Sequence, residues 1–366
     1  MKQLFESLNL AGIPIRNRFV RSATWEGMAT DKGEVTDDLV SLMVALANGG
    51  VGLIVSSHAY VSCEGQASPW QVGIYEDGLI PGLEKMATAV HDAGGRIILQ
   101  LAHGGYYASA KLSGAVPFAA SDIAGNEKTK RRVMSEQDIA DTVSAFAEGA
   151  RRAKEAGFDG VQIHAAHGYL LSQFLSPAFN RRTDAYGGDI TNRSRFLMEV
   201  FQRIRETVGN DYPVLIKMNG ADYIDDGLVV GDSVQVAQQL SDVGIDAIEL
   251  SGGVLTSPKL SPSRVKIDSE EKEAYFKAEA ARFKSAVDVP LILVGGIRSL
   301  PVAERLLTEG TADYFSMSRP LIKEPGLINR WADGDTTRAE CISDNRCFMP
   351  AMHGKGVCCN VQTKTG

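Results

Sequence analysis
The sequence predicts an α/β protein, a (β/α)8 TIM barrel carrying a short Cys-bearing C-terminal tail. Three observations lead there. Eight short runs are apolar on both faces, as parallel strands covered by helices should be. Helical patterns with three- and four-residue apolar spacing alternate with them. The rival doubly wound sheet normally places Gly-x-Gly-x-x-Gly after its first strand, with an acidic residue ~20 positions on. Here the first strand leads instead into Ala23-Thr24-Trp25-Glu26.

The expected strands are Phe19–Ser22, Gly52–Ser56, Ile97–Gln100, Val161–His164, Val214–Met218, Ala247–Leu250, Leu291–Val294 and Tyr314–Met317. The clearest helix runs from Ile139 to Ala156, with Ile139, Val143, Phe146, Ala150 and Ala153 on one stripe. Ser135 and Asp138 precede it as a variant capping box, and Gly157 suits its stop. A second helix spans Asn192–Val208, with Leu197, Val200, Ile204 and Val208 inward and Gly209 closing it. The connections 101–135, 165–190 and 251–270 are long, which in a compact domain usually marks function. Residues 320–335 read as a closing helix with turn residues. The barrel is assigned to 1–335 and the tail to 336–366.

Composition narrows the function classes. Of 366 residues, 44% are hydrophobic and 23% charged, ordinary for a globular enzyme, and the length suffices for a large core. The net charge of −7 argues against a nucleic-acid partner. No apolar run approaches the roughly 20 residues of a membrane span, and Met1–Glu6 lack the apolar stretch of a signal peptide, so a cytoplasmic location without membrane contact is expected. Cys63 stands alone while Cys341, Cys347, Cys358 and Cys359 crowd the tail. That clustering speaks for reduced thiols or a metal site rather than a disulfide framework.

In such barrels catalytic groups sit where strands end. The strand ends collect Ala23, Thr24, Trp25, Ser57, His58, Gln100, His164, Lys217, Gly295, Gly296, Ser318 and Arg319. After the seventh strand, Gly295-Gly296 offers bare backbone amides, and after the eighth, Ser318-Arg319 adds a hydroxyl and a guanidinium. Barrels commonly bind phosphate at those two loops. His164, His167 and Tyr169 fall within six residues of each other. Imidazoles can donate hydrogen bonds to a substrate oxygen, and a phenol can deliver a proton. Zinc at His164 and His167 lacks an evident third ligand. Gln100 and Lys217 suit the edge of an isoalloxazine ring, where a cation stabilises the reduced anion. Taken alone, Lys217 also reads as an ordinary partner for a neighbouring carboxylate. His103 reads as a turn buttress, and Arg181-Arg182 as structural partners of Asp184 and Asp189.

Several longer segments carry a family resemblance. They are Asn17-Arg18-Phe19-Val20-Arg21-Ser22-Ala23-Thr24, Gln100-Leu101-Ala102-His103-Gly104-Gly105, His164-Ala165-Ala166-His167-Gly168-Tyr169, Phe174-Leu175-Ser176-Pro177, Asn180-Arg181-Arg182-Thr183-Asp184-Ala185-Tyr186-Gly187-Gly188 and Asn192-Arg193. Over roughly residues 1–330 the chain resembles the Old Yellow Enzyme family of flavin-dependent ene-reductases, within the wider NADH:flavin oxidoreductase barrels. The resemblance implies FMN at the barrel mouth, NADH or NADPH as reductant, and an activated alkene of enone or enoate type as the small-molecule substrate. It further implies that Ala23, Thr24, Gln100, Lys217, Gly296, Ser318 and Arg319 bind FMN. His164 and His167 would then grip the substrate carbonyl, and Tyr169 would supply the proton.

The chain departs from the family pattern in places. Lys217 stands where relatives usually have Arg, keeping the charge without the planar fork. Trp25 replaces a Thr or Cys that tunes the flavin, and Tyr106 replaces a frequent Arg. Larger relatives with an iron–sulfur cluster carry closely spaced cysteines after the barrel. Here Asp344 occupies one expected Cys position, so the tail is expected to hold no cluster. Three alternatives stay beside this reading: a flavin-dependent dehydrogenase or demethylase, a flavin-free lyase or isomerase on a phosphorylated substrate, and a non-catalytic binding barrel. Homo-oligomerisation is left open, as is a partner supplying electrons through the tail.

Overall fold
Alternating strands and helices close on themselves in the order in which they are written. The computed structural model describes residues 2–123 and 130–361. Residues 124–129 of the first long connection and the last five of the tail lie outside the described residues. The barrel strands are β1 (Phe19–Arg21), β2 (Leu53–Tyr60), β3 (Ile97–Ala102), β4 (Val161–Ala165), β5 (Val214–Asn219), β6 (Ala247–Ser251), β7 (Leu291–Val294) and β8 (Tyr314–Met317). Each pairs in parallel with its neighbours, and β8 returns to β1. The helices outside are α1 (Asp37–Asn48), α2 (Ile80–Asp92), α3 (Glu136–Glu155), α4 (Ile190–Val208), α5 (Val230–Asp242), α6 (Lys277–Lys284), α7 (Leu300–Thr308) and α8 (Leu327–Ala332). The eight-stranded expectation is met in full.

Helix ends follow the expected chemistry. Ser135 caps α3 by accepting from Asp138 N, and the Asp138 carboxylate accepts from Ser135 N, closing the capping box. Gly157, at φ +79°, turns the chain out of that helix. Asp189 caps α4, two residues earlier than expected, and Gly209 ends it. The region 320–335 is two short helices, Arg319–Lys323 and α8, because Pro325 and Gly326 interrupt it.

The barrel interior is layered. At the bottom, Val20, Leu53, Val55, Ile98, Leu215, Ala247, Ile292 and Tyr314 form a dry floor, covered from below by Leu10, Ile13 and Ile15 of an N-terminal hairpin (Leu8–Leu10 with Ile13–Ile15). Side chains alternate across each strand, so the next inward layers bring up Ser22, Gln100, Gln162, Lys217, Glu249 and Ser316. This polar upper barrel is where the chemistry gathers. The second strand runs four residues past its expected end, with a register irregularity between Val55 and His58. Ser57 and His58 therefore lie within the strand rather than beyond it.

Candidate active site
Four aromatic and imidazole rings meet at the upper rim. His164 sits near the end of β4, two residues after Gln162 and on the same inward face. His167 follows at φ +63°, and Gly168 at φ +80°, where a Cβ would come within 2.9 Å of Tyr107. That tight turn folds the two imidazoles and the phenol together. Ring centroids are 5.3 Å apart for His164 and His167, and 4.8 Å for His164 and Tyr169. His58 joins from β2, its Nε2 3.4 Å from Tyr169 Oη.

Burial sets the protonation of this group. Desolvation, with neighbouring positive charges from other imidazoles and Lys217, holds His164 and His167 well below the ordinary imidazole range. His58 is pushed down to about 4 by burial and then by Lys217. Burial, with the Tyr107 phenol beside it, pushes Tyr169 up to about 12. At neutral pH the rim is therefore three neutral imidazoles and one protonated phenol, all uncharged and all able to donate. His103 is no part of it: its Nδ1 accepts from Gly105 N at 3.0 Å and buttresses that turn.

Below and beside the rings lies a buried network. Lys217 Nζ donates to Ser22 Oγ at 2.6 Å and stands 3.2 Å from Glu249 Oε1. Glu249, fully buried, also accepts from Ser22 Oγ, Ser316 Oγ and Gln162 Nε2 at 2.7–2.9 Å, and Gln162 in turn accepts from Gln100. Burial works to raise the Glu249 carboxyl, but Lys217 and these donors outweigh it and keep it ionised below its usual range. Sequence reasoning left Lys217 between a cofactor contact and a carboxylate partner. The structure makes it both a cavity-lining group and the partner of Glu249.

One cavity gathers most of the expected residues. Ala23, Thr24, Trp25, His58, Gln100, His164, His167, Tyr169, Lys217, Gly296, Ser318 and Arg319 all line it. Two do not. Ser57 turns its hydroxyl into a short hydrogen bond with Glu26, which is paired with Arg21 at 2.6 Å behind the wall. Gly295 is one residue short of the cavity, its carbonyl accepting from Tyr275 N. The Trp25 indole donates to the Pro69 carbonyl at 3.0 Å, so its donor is spent away from the cavity. Sequence reasoning missed Ser251, Ser263, Tyr275 and Arg298, and from the tail Ser343 and Phe348. The tail is thus part of the wall: Arg319 Nη1 donates to Asn345 Oδ1 at 2.7 Å. Arg181 pairs with Asp226 rather than Asp189, while Arg182 pairs with Asp184 as expected.

The donor set fits a flavin mononucleotide. Lys217, Arg298 and Arg319 line the cavity, and among the described residues no carboxylate does. At Gly296, φ +76°, a Cβ would stand 2.7 Å from Tyr275, so only glycine keeps the wall in this shape. Among the described residues, no group of three His, Cys, Asp or Glu is placed to hold a metal. Burial, with Cys341 beside it, raises the Cys347 thiol to about 11. No described helix is long and apolar enough to cross a membrane.

A closed parallel barrel whose rim joins imidazoles and a phenol to an anion-accepting cavity defines a flavin-dependent oxidoreductase barrel. Residues 3–337 match the NADH:flavin oxidoreductase / NADH oxidase family, and the chain belongs to it. Its fold is that of the Old Yellow Enzymes, and FMN is the flavin the family and the cavity's donor set agree on. The chain is 35% identical over 370 residues to a metal reductase of Desulforamulus reducens, covering 100% of this chain and 54% of that protein. It is 36% identical over 324 residues to an NADPH dehydrogenase of a Geobacillus species, covering 88% and 91%. The solved old yellow enzyme homologue from Zymomonas mobilis superposes with a TM-score of 0.78 at 27% identity, covering 93% of this chain and 99% of that one. The chain spans about half the length of the metal reductase it matches.

Proposed function
We propose that this barrel reduces the activated C=C bond of an α,β-unsaturated carbonyl compound, with NADH or NADPH as the hydride source. The observation that carries the reading is that the His164–His167–Tyr169 group lines the same cavity as Gln100 and Lys217, with His164 and Lys217 in register on the adjacent strands β4 and β5. Gln100 and Lys217 would hold the pyrimidine side of FMN, while Gly296, Ser318 and Arg319 would hold its phosphate, with Ala23 and Thr24 along the ring. Bound there, FMN would accept a hydride from the nicotinamide and pass one to the β-carbon of the alkene.

The chain's own groups supply the rest. His164 and His167 donate hydrogen bonds to the carbonyl oxygen, where negative charge grows as the β-carbon is attacked. Being neutral, they polarise without protonating the oxygen outright. Tyr169 keeps its proton until the α-carbon is basic enough to take it from Oη. The demethylase alternative acts on amines, which are cationic at neutral pH. Imidazoles at the rim and no carboxylate among the described lining residues disfavour such a ligand.

The test is a two-stage anaerobic titration. NADH or NADPH should bleach the bound FMN, and 2-cyclohexen-1-one should restore its colour with formation of cyclohexanone. Flavin reoxidised by oxygen but not by any enone or enoate would overturn the substrate class.

A further inference from the structure
Of the two imidazoles His164 and His167, only His167 has a hydrogen-bonding ring partner among the described residues. Its Nε2 lies 2.8 Å from Ser251 Oγ, and Ser251 closes β6 at 2% exposure. Its Nδ1 is engaged by no hydrogen bond among the described residues, and His167 lines the cavity. The backbone beneath the ring is held at several points. His167 adopts the left-handed φ of +63°, uncommon for a residue with a side chain. Its N–H donates to Asn219 Oδ1 at 3.1 Å, and its carbonyl accepts from Leu255 N at 3.3 Å. The ring is therefore presented to Ser251 by a pinned main chain.

A neutral imidazole carries one proton, so what Nε2 does decides what Nδ1 offers. If the Ser251 hydroxyl donates to Nε2, Nδ1 carries the hydrogen and faces the cavity as a donor. If Ser251 accepts instead, Nδ1 faces the cavity as a lone pair and repels a carbonyl oxygen. The hydroxyl has no other partner among the described residues. Accepting from Nε2 would leave its own O–H without an acceptor in a nearly dry site, and an unmade donor there is costly. Donation to Nε2 is the arrangement that leaves no hydrogen unused.

We propose that Ser251 is a positioning residue: by donating to His167 Nε2 it fixes the Nδ1–H tautomer and makes Nδ1 the donor that meets the substrate oxygen. The inference rests on the substrate reading above and narrows it. The group recognised beside His167 is an oxygen with lone pairs and no proton of its own, such as a carbonyl, rather than a hydroxyl that must donate.

The test uses the FMN-loaded protein with ring-15N-labelled histidine. Nitrogen shifts separate the two tautomers, and flavin absorbance reports binding of 2-cyclohexen-1-one. In the wild type the His167 signals should be those of Nδ1–H. In Ser251→Ala they should move toward Nε2–H, and the dissociation constant should rise about tenfold. Ser251→Thr should restore both, and Ser251→Gly serves should the alanine variant fail to fold. An unchanged tautomer and affinity in Ser251→Ala, alongside weakened binding in His167→Ala, would overturn the role of Ser251 while leaving the substrate reading intact. Unchanged binding in His167→Ala would overturn both.

Discussion

Lys217 Nζ stands 3.2 Å from Glu249 Oε1 across the adjacent strands β5 and β6, so the cation facing the cavity and its counter-ion form one buried pair. Removing one partner of such a pair strands a charge out of water, whereas removing both does not. Lys217→Met should destabilise the apoprotein by about 3–5 kcal/mol. The double variant Lys217→Met/Glu249→Met should recover most of that loss. Urea unfolding of the three proteins decides it, and a double variant no more stable than the single would refute the coupling.

Tyr169→Phe removes the proton source without removing the ring. Stopped-flow measurement should find flavin reduction by NAD(P)H nearly unchanged and reoxidation by 2-cyclohexen-1-one slowed roughly 10²–10⁴-fold. Because burial pushes the phenol to about 12, the wild-type reoxidation rate should stay level from pH 7 to 10. Equal damage to both half-reactions would remove Tyr169 from the donor role.

His164→Ala should cost about 10²–10³ in the rate of reoxidation by an enone, the scale of losing one donor to a developing oxyanion. The same variant should keep its rate with ferricyanide, an acceptor that needs no polarised carbonyl. Parallel losses toward both acceptors would point to damage at the cofactor instead.

Arg319 lines the cavity, oriented by Asn345 at 2.7 Å, and is the guanidinium proposed for the phosphate. Arg319→Ala should weaken FMN binding by about tenfold or more while leaving riboflavin binding almost unaltered. Fluorescence titration of the apoprotein with each flavin measures the two constants. A variant that still prefers FMN over riboflavin as strongly as the wild type would place the phosphate elsewhere.

Acid should destabilise the fold through its imidazoles. His58 and His103 are held near 4 and 3 in the folded state, and His164 and His167 well below 6.5, all by burial first. In the unfolded chain each titrates near 6.5, so as pH falls through that value only the unfolded state gains protons and stability is lost. The loss should continue to about pH 4, where His58 begins to charge in the folded state. Urea midpoints should therefore fall from pH 7 to 4.5, and His58→Gln should flatten the slope by about one proton. An identical slope in that variant would mean His58 is not held neutral.

The strands were readable because parallel strands under helices must be apolar on both faces, a demand that leaves runs such as Ile97–Gln100 with little else to be. The rim was readable because His164, His167 and Tyr169 are brought together by local sequence alone. What lay hidden depends on distant contacts. Glu249 looks like any acid in a strand until the barrel closes around it. Ser57 was misplaced because β2 runs on through a register irregularity that apolar patterning does not reveal. Asn345 and Phe348 were missed because a tail without strong periodicity gives no sign that it folds back onto the cavity.

The N-terminal hairpin has a kinetic corollary. With Leu10, Ile13 and Ile15 stoppering the barrel floor, the reductant and alkene of the proposed reaction would both approach from the top. Sharing that approach, they should react by turns, with parallel lines in double-reciprocal plots. Crowding with the alkene should then slow the enzyme by keeping the nicotinamide waiting outside.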